Sequence, residues 1–162
     1  MLEKNQCRQK FISLVEAIFL ELGFELPTVA YDPEVCLAME MERDGIAFEI
    51  VHAMDETVEN FMVECKFGAI PVDRTTDVLK RLMEVNLTLL REHRVAYGVD
   101  PVTNHVTSGT VYALVDVDPI ALLDDMSAMA RQAKIWQQTH FLEETSSASQ
   151  AQAELPQFLL MP

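Results

Sequence analysis

From Phe11 onward the apolar residues Phe11, Leu14, Val15, Ile18, Phe19 and Leu22 step by three and one, which marks one helix face, and Gly23 supplies a stop. After Pro33 the period changes to two. Val35, Leu37, Met39 and Met41 alternate with Cys36, Ala38, Glu40 and Glu42, and Asp44-Gly45 then marks a turn. A second strand is predicted from Ile46 to Ala53, with Ile46, Phe48 and Ile50 on one face. A third runs from Thr57 to Phe67, with Phe61, Val63, Cys65 and Phe67 together. Pro71 and Asp73 break that pattern before a helical segment from Arg74 to His93. Val95, Tyr97 and Val99 read as a fourth strand, Asp100 to Asn104 as a turn, and Thr107 to Val117 as a fifth strand. Asp118 followed by Pro119 has the form of a helix start, and Ile120, Leu123, Met126, Ala130, Ala133 and Trp136 carry one face toward Leu142. The order is α-β-β-β-α-β-β-α, an α+β fold with a twisted antiparallel sheet packed with helices. Residues 1–143 read as one domain. Residues 144–162 read as a flexible C-terminal tail, rich in Ser, Ala, Gln and Thr and closed by the apolar run Phe158-Leu159-Leu160-Met161.

The apolar stripe of the second helix is wider than one sheet contact needs. It divides into two rows: Leu79, Leu82, Met83 and Leu90, expected against the sheet, and Val78, Val85 and Leu89, expected against a second copy. Leu82 counts with that dimer interface as well, and Asn86 lies beside it as a candidate register-fixing amide. Charge supports the assignment. The chain has 162 residues and a net charge of −14, and between Phe11 and Cys65 thirteen acidic residues face the single basic Arg43. Around the second helix, by contrast, Arg74, Lys80, Arg81, Arg91 and Arg94 nearly balance Asp73, Asp77, Glu84 and Glu92. A near-neutral apolar helix suits self-association, whereas an acidic sheet repels acidic surfaces and attracts basic or polar polypeptides.

The same charge excludes function classes. With 12 basic against 26 acidic residues the chain lacks the clustered cations that release counterions from nucleic acid, so no nucleic-acid partner is expected. The run from Phe11 to Phe24 is interrupted by Glu16 and Glu21 and has no small-residue cleavage site, so neither a signal peptide nor membrane insertion is expected. Cys7, Cys36 and Cys65 are odd in number and lack CxxC spacing, which suits reduced thiols in a cytoplasm. His52, His93, His105 and His140 form no HxH or HExxH arrangement, and the five glycines form no phosphate loop. No catalytic residue, metal site or cofactor is therefore expected, and the chain reads as a non-enzyme. A small α+β enzyme or ligand-binding domain would need convergent polar groups in one pocket, which the sequence does not offer. Nine methionines add adaptable surface suited to varied partners.

Several local features agree with a known family. Leu82-Met83-Glu84-Val85-Asn86-Leu87 is similar to a Leu-Leu-x-Ala-Asn-Leu stretch, Leu22-Gly23 to a first-helix ending, and Ala133 with Trp136 to a small residue and aromatic in a last helix. With the element order, these make residues 5 to 142 resemble the class I type III secretion chaperones, the Tir chaperone (CesT) family. The tail beyond Glu143 is longer than the family core requires. The resemblance implies a homodimer in the bacterial cytoplasm that keeps the N-terminal segment of a secreted effector extended, soluble and secretion-competent without hydrolysing ATP. The secretion ATPase is a candidate further partner. The second helix would form the two-fold interface, and strands one to three with the first helix would offer grooves and an edge to which the effector adds a strand. The effector-binding residues are then Val35, Cys36, Leu37, Ala38, Met39 and Met41 of the first strand, with Val51 and Ala53 of the second as floor. The C-terminal Phe158–Met161 run is expected to visit the same groove. A cytosolic protein-binding adaptor of the same fold, unrelated to secretion, is the alternative.

Overall fold

The computed structural model describes residues 4–25, 35–53, 59–89, 95–115 and 117–142. Helix α1 (Lys4–Glu21) is followed by strands β1 (Leu37–Arg43), β2 (Ile46–His52) and β3 (Asn60–Ala69). A single 3-10 turn then leads into helix α2 (Thr75–Leu89), strands β4 (Val95–Val99) and β5 (His105–Ala113), and helix α3 (Pro119–Thr139). The expected element order holds throughout. All strand pairs are antiparallel, and the sheet runs β1-β2-β3-β5-β4, so β1 and β4 are its two edges.

Side chains alternate across this sheet. Phe48 and Ile50 of β2, Phe61, Val63, Cys65 and Phe67 of β3, and Val106 of β5 are buried on one face. Helix α1 packs there through Cys7, Phe11, Leu14, Val15 and Ile18, and α3 through Leu122, Met126, Ala130, Ala133 and Trp136. The Phe11 ring lies 5.9 Å from that of Phe61 and is stacked 5.1 Å from His52, so His52 is a core ring.

Local signals explain the ends of α3. The Asp118 carboxylate accepts a hydrogen bond from the Ala121 N–H at 2.9 Å, with Pro119 in the first turn, as an N-cap requires. At the other end His140 turns left-handed and its N–H bonds to the Trp136 carbonyl. Trp136 sits over a β-bulge between Lys66 and Gly68, where Gly68 has φ 129, and a Cβ at Gly68 would lie 3.6 Å from the indole. This is the fit behind the Ala133 and Trp136 pair. The Gln137 side chain pins the same bulge by donating to the Phe67 carbonyl at 2.9 Å.

Several boundaries differ from expectation, three of them with consequences for packing. Helix α1 begins at Lys4, ahead of Phe11, which places Cys7 and Arg8 in the core. Strand β5 ends at Ala113 and not Val117, because the chain turns at Leu114, whose N–H bonds to the Glu59 carbonyl at 2.8 Å and whose side chain enters the core. Strand β3 continues past Phe67 to Ala69. Thr57, Leu90, His93, the tail and its Phe158–Met161 run lie outside the described residues.

Candidate functional site

The β1–β2 hairpin closes through Asp44 at φ 54 and Gly45 at φ 74, the doubly left-handed turn that suits the twist of two strands. A two-residue turn makes Arg43 and Ile46 the hydrogen-bonded closing pair. Alternation then turns the N–H and C=O groups of Ala38, Glu40 and Glu42 away from β2, toward the outside of the sheet. Among the described residues no hydrogen bond reaches those groups. Strand β1 is therefore an open edge of the sheet among the described residues.

Its side chains divide as the alternation requires. Leu37, Met39 and Met41 are half-buried against the core, so this pleat faces inward. Ala38 and Cys36 are exposed on the other side. Ala38 pairs with half-buried Val51, Ala53 is exposed one step beyond β2, and the Cys36 thiol donates to the His52 carbonyl at 3.3 Å. Of the eight expected binding residues, Cys36, Ala38, Val51 and Ala53 therefore gather on the outer side, while Leu37, Met39 and Met41 support them from within. Val35 precedes the strand and is exposed.

The outer face also holds residues that sequence reasoning missed. The register carries the row Ala38, Val51, Met62 and Val111 across β1, β2, β3 and β5, and the Met62 thioether lies over Gly109, 3.3 Å from where a Cβ would stand. Next to it runs Glu40, Glu49 and Glu64. Lys66 Nζ reaches Glu40 at 3.5 Å and Glu49 at 4.0 Å. Burial, and then the neighbouring Glu49 carboxylate, hold the Glu64 carboxyl above its ordinary value.

A buried arginine ties down the start of this strand. Arg8 of α1 is 1% exposed, and its Nη2 donates to the carbonyls of Val35 and Ala53, each at 3.0 Å. One side chain thus fixes where β1 begins and where β2 ends. Nothing in the periodicity from Phe11 onward pointed to it.

Helix α2 reverses the expected assignment of its rows. Val78 and Val85, expected at a partner, are buried in the chain's own core, where Leu89 packs against them; Leu82, expected in both places, is buried there too, as the sheet row required. Leu79 and Met83, expected against the sheet, are 42% and 74% exposed, and Leu87 is 69% exposed. The spacing 78, 82, 85, 89 follows one helical face, and Leu79, Met83 and Leu87 follow the adjacent one. Asn86 is corrected too. Its Nδ2 donates to the Tyr97 carbonyl at 2.8 Å and its Oδ1 accepts from the Tyr97 N–H at 2.8 Å, so the amide serves the chain's own β4 and not a dimer register.

Burial pushes the Cys65 thiol up to about 12, which keeps it protonated. Among the described residues no cluster of three or more His, Cys, Asp or Glu could hold a metal ion. A groove of about 480 Å³ between α1 and the segment joining β5 to α3 is lined by Lys10, Ser13, Leu14, Ala17, Leu114 and Val117, with no acid–base pair. No helix among the described residues is long and apolar enough to cross a membrane.

The profile of the Tir chaperone protein (CesT) family matches residues 13–137. Among the solved structures similar in fold are these three. The ExsC-ExsE complex aligns at TM-score 0.60 and 14% identity, covering 80% of this chain and 92% of that one. The HopA1-SchA chaperone-effector complex aligns at 0.57 and 12%, covering 80% and 94%. The Yersinia pestis type III secretion chaperone SycH, in complex with a stable fragment of YscM2, aligns at 0.52 and 13%, covering 77% and 98%. No curated protein sequence matches the chain.

Proposed function

The chain belongs to the Tir chaperone protein (CesT) family, and from that premise we propose that it is a type III secretion chaperone of the bacterial cytoplasm. It holds the N-terminal segment of a secreted effector extended and soluble until release at the secretion apparatus, where the secretion ATPase is a further partner. The observation that carries the reading is the open β1 edge beside the small residues Cys36, Ala38, Val51 and Ala53. An extended client pairs with the outward backbone groups of Ala38, Glu40 and Glu42, which gives affinity with little demand on sequence. Its side chains find room where the flanking residues are small. The likeness in fold to a chain of the HopA1-SchA chaperone-effector complex supports effector binding. No covalent step is needed, so the client leaves intact and the protein acts without being an enzyme.

A homodimer through α2 completes the proposal, with Leu79, Met83 and Leu87 as the contacting row. Two copies of a chain with net charge −14 repel one another. The near balance of Lys80 and Arg81 against Asp77 and Glu84 makes this helix a less repulsive surface to share than the acidic face of the sheet.

Co-expression with candidate secreted proteins of the same genome, followed by limited proteolysis, tests the reading. A protected fragment near the effector N-terminus is expected. Absence of protection with every candidate, together with retention of a resident cytosolic protein, would favour the adaptor reading.

A further inference from the structure

At one of the two sheet edges a side-chain amide takes the backbone pairing groups. On β4, the N–H and C=O of Tyr97 both meet the Asn86 side chain at 2.8 Å, so both point away from β5. Alternation then makes Val95, Tyr97 and Val99 the outward residues of this five-residue strand, and Asn86 occupies the central one. The carboxamide offers one donor and one acceptor in the geometry of a peptide group. It stands where the backbone of a sixth strand would stand. Tyr97 is held from elsewhere too: its hydroxyl donates to Gln132 Oε1 at 2.8 Å and its ring meets Phe67 edge-on at 5.6 Å. On β1, by contrast, the outward groups of Ala38, Glu40 and Glu42 have no such partner among the described residues.

We propose that Asn86 is an edge guard that occupies the pairing groups of Tyr97 and so confines strand addition to β1. With its centre taken, β4 retains only Val95 and Val99 as outward pairing residues, roughly 13 Å apart. That is too sparse for an added strand to bridge, whether the strand comes from a client or from a second copy. One client strand per chain, always on β1, is the functional consequence. The inference rests on the sheet geometry, and its consequence for a client rests on the proposed function.

The test uses the full chain without any client, so its failure would leave the client reading standing. Asn86→Ala should raise amide hydrogen exchange at Tyr97 at least tenfold while Val63 on central β3 keeps its protection. It should also produce species larger than the wild-type assembly in sedimentation velocity as concentration rises. Adding Ala96→Lys, an exposed lysine on the newly opened edge, should return sedimentation to the wild-type pattern, which repair of a merely structural defect would not do. Should Asn86→Ala not fold cooperatively, Asn86→Ser, too short to span both groups, is read by the same measurements. Unchanged protection at Tyr97, absence of larger species, or larger species indifferent to Ala96→Lys would each overturn the proposal.

Discussion

At the β1 end of the sheet the chain leaves backbone pairing groups without a partner among the described residues and surrounds them with carboxylates. It anchors the strand at its two ends, through Arg8 at the start and through Arg43, whose Nε donates to Ser127 Oγ at 2.6 Å, at the hairpin. At the β4 end it lays a helix along the edge, plugs the central residue with Asn86 and holds the same tyrosine from α3. An unpaired edge invites aggregation, and proteins ordinarily cover or shorten it. One edge covered this thoroughly shows that covering was within reach, which makes the open edge a feature to explain. Its charge is part of the explanation. Glu40, Glu42 and Glu49 flank the open strand, so identical acidic copies repel while a neutral or basic segment is admitted.

The sharpest way to break the comparison is at α2, which both seals β4 and presents an exposed row. Val85→Glu puts a carboxylate into the core and should destabilise the fold by about 4 kcal/mol or more in urea unfolding. Leu79→Glu with Met83→Glu, on the adjacent exposed face, should leave unfolding nearly unchanged and shift sedimentation to monomer. Loss of the dimer with a normal fold in Val85→Glu would put the rows back where the sequence pattern placed them.

How much of this was legible in the sequence depends on distance along the chain. The face of α1, the Asp44-Gly45 turn, the strand alternation and the Asp118-Pro119 start are local patterns, and each reads correctly. Helical periodicity also divided the α2 residues into rows, with Leu82 set beside Leu79 and Met83 and not on its observed face with Val78 and Val85, but which row faces inward is set by packing against β4, which periodicity does not encode. The sealing amide bonds a strand 11 residues away, and Arg8 reaches 27 and 45 residues to its two carbonyls. Met62 and Val111 meet only through the β3–β5 register. That Cys36 and Ala38 lie on the outer side, with Ala53 beside them, was legible because strand alternation alone puts them there.

The next effect in size falls on the open end. Arg8→Ala removes a buried cation that satisfies two carbonyls, and should lower stability by about 2 kcal/mol in urea unfolding. Arg8→Lys should recover less than half, since an ammonium lacks the planar fork. Hydrogen exchange should localise the loosening to the start of β1, with β4 unaffected. Equal loosening at both edges would show that they are not independent.

Ala38→Glu acts on binding. A glutamate beside Val51 and Glu40 fills the space left by a small side chain and adds charge at the open edge. Affinity for the protected effector fragment should fall at least tenfold, about 1.4 kcal/mol, by titration calorimetry, with the thermal midpoint unchanged. Val99→Glu at the sealed edge should leave that affinity as it was.

The smallest effect tests whether the acidic face carries stored repulsion. The Glu64 carboxyl is raised, chiefly by burial and next by Glu49. A raised carboxyl favours the protonated form in the folded state. Its contribution to stability is therefore full below the ordinary glutamate value and is lost as pH rises through the raised one. Glu64→Gln keeps an acceptor but cannot ionise, so it should match the wild type at pH 4. At pH 7 it should melt about 1 °C higher, a small gain because the face is partly solvated. Low salt should widen the gap, since screening weakens the Glu49 contribution. A glutamine variant that melts below the wild type at pH 7, or a difference that persists at pH 4, would mean that the carboxylate row is held by its Lys66 contacts and exerts no net repulsion. The open edge would then owe its selectivity to backbone geometry alone.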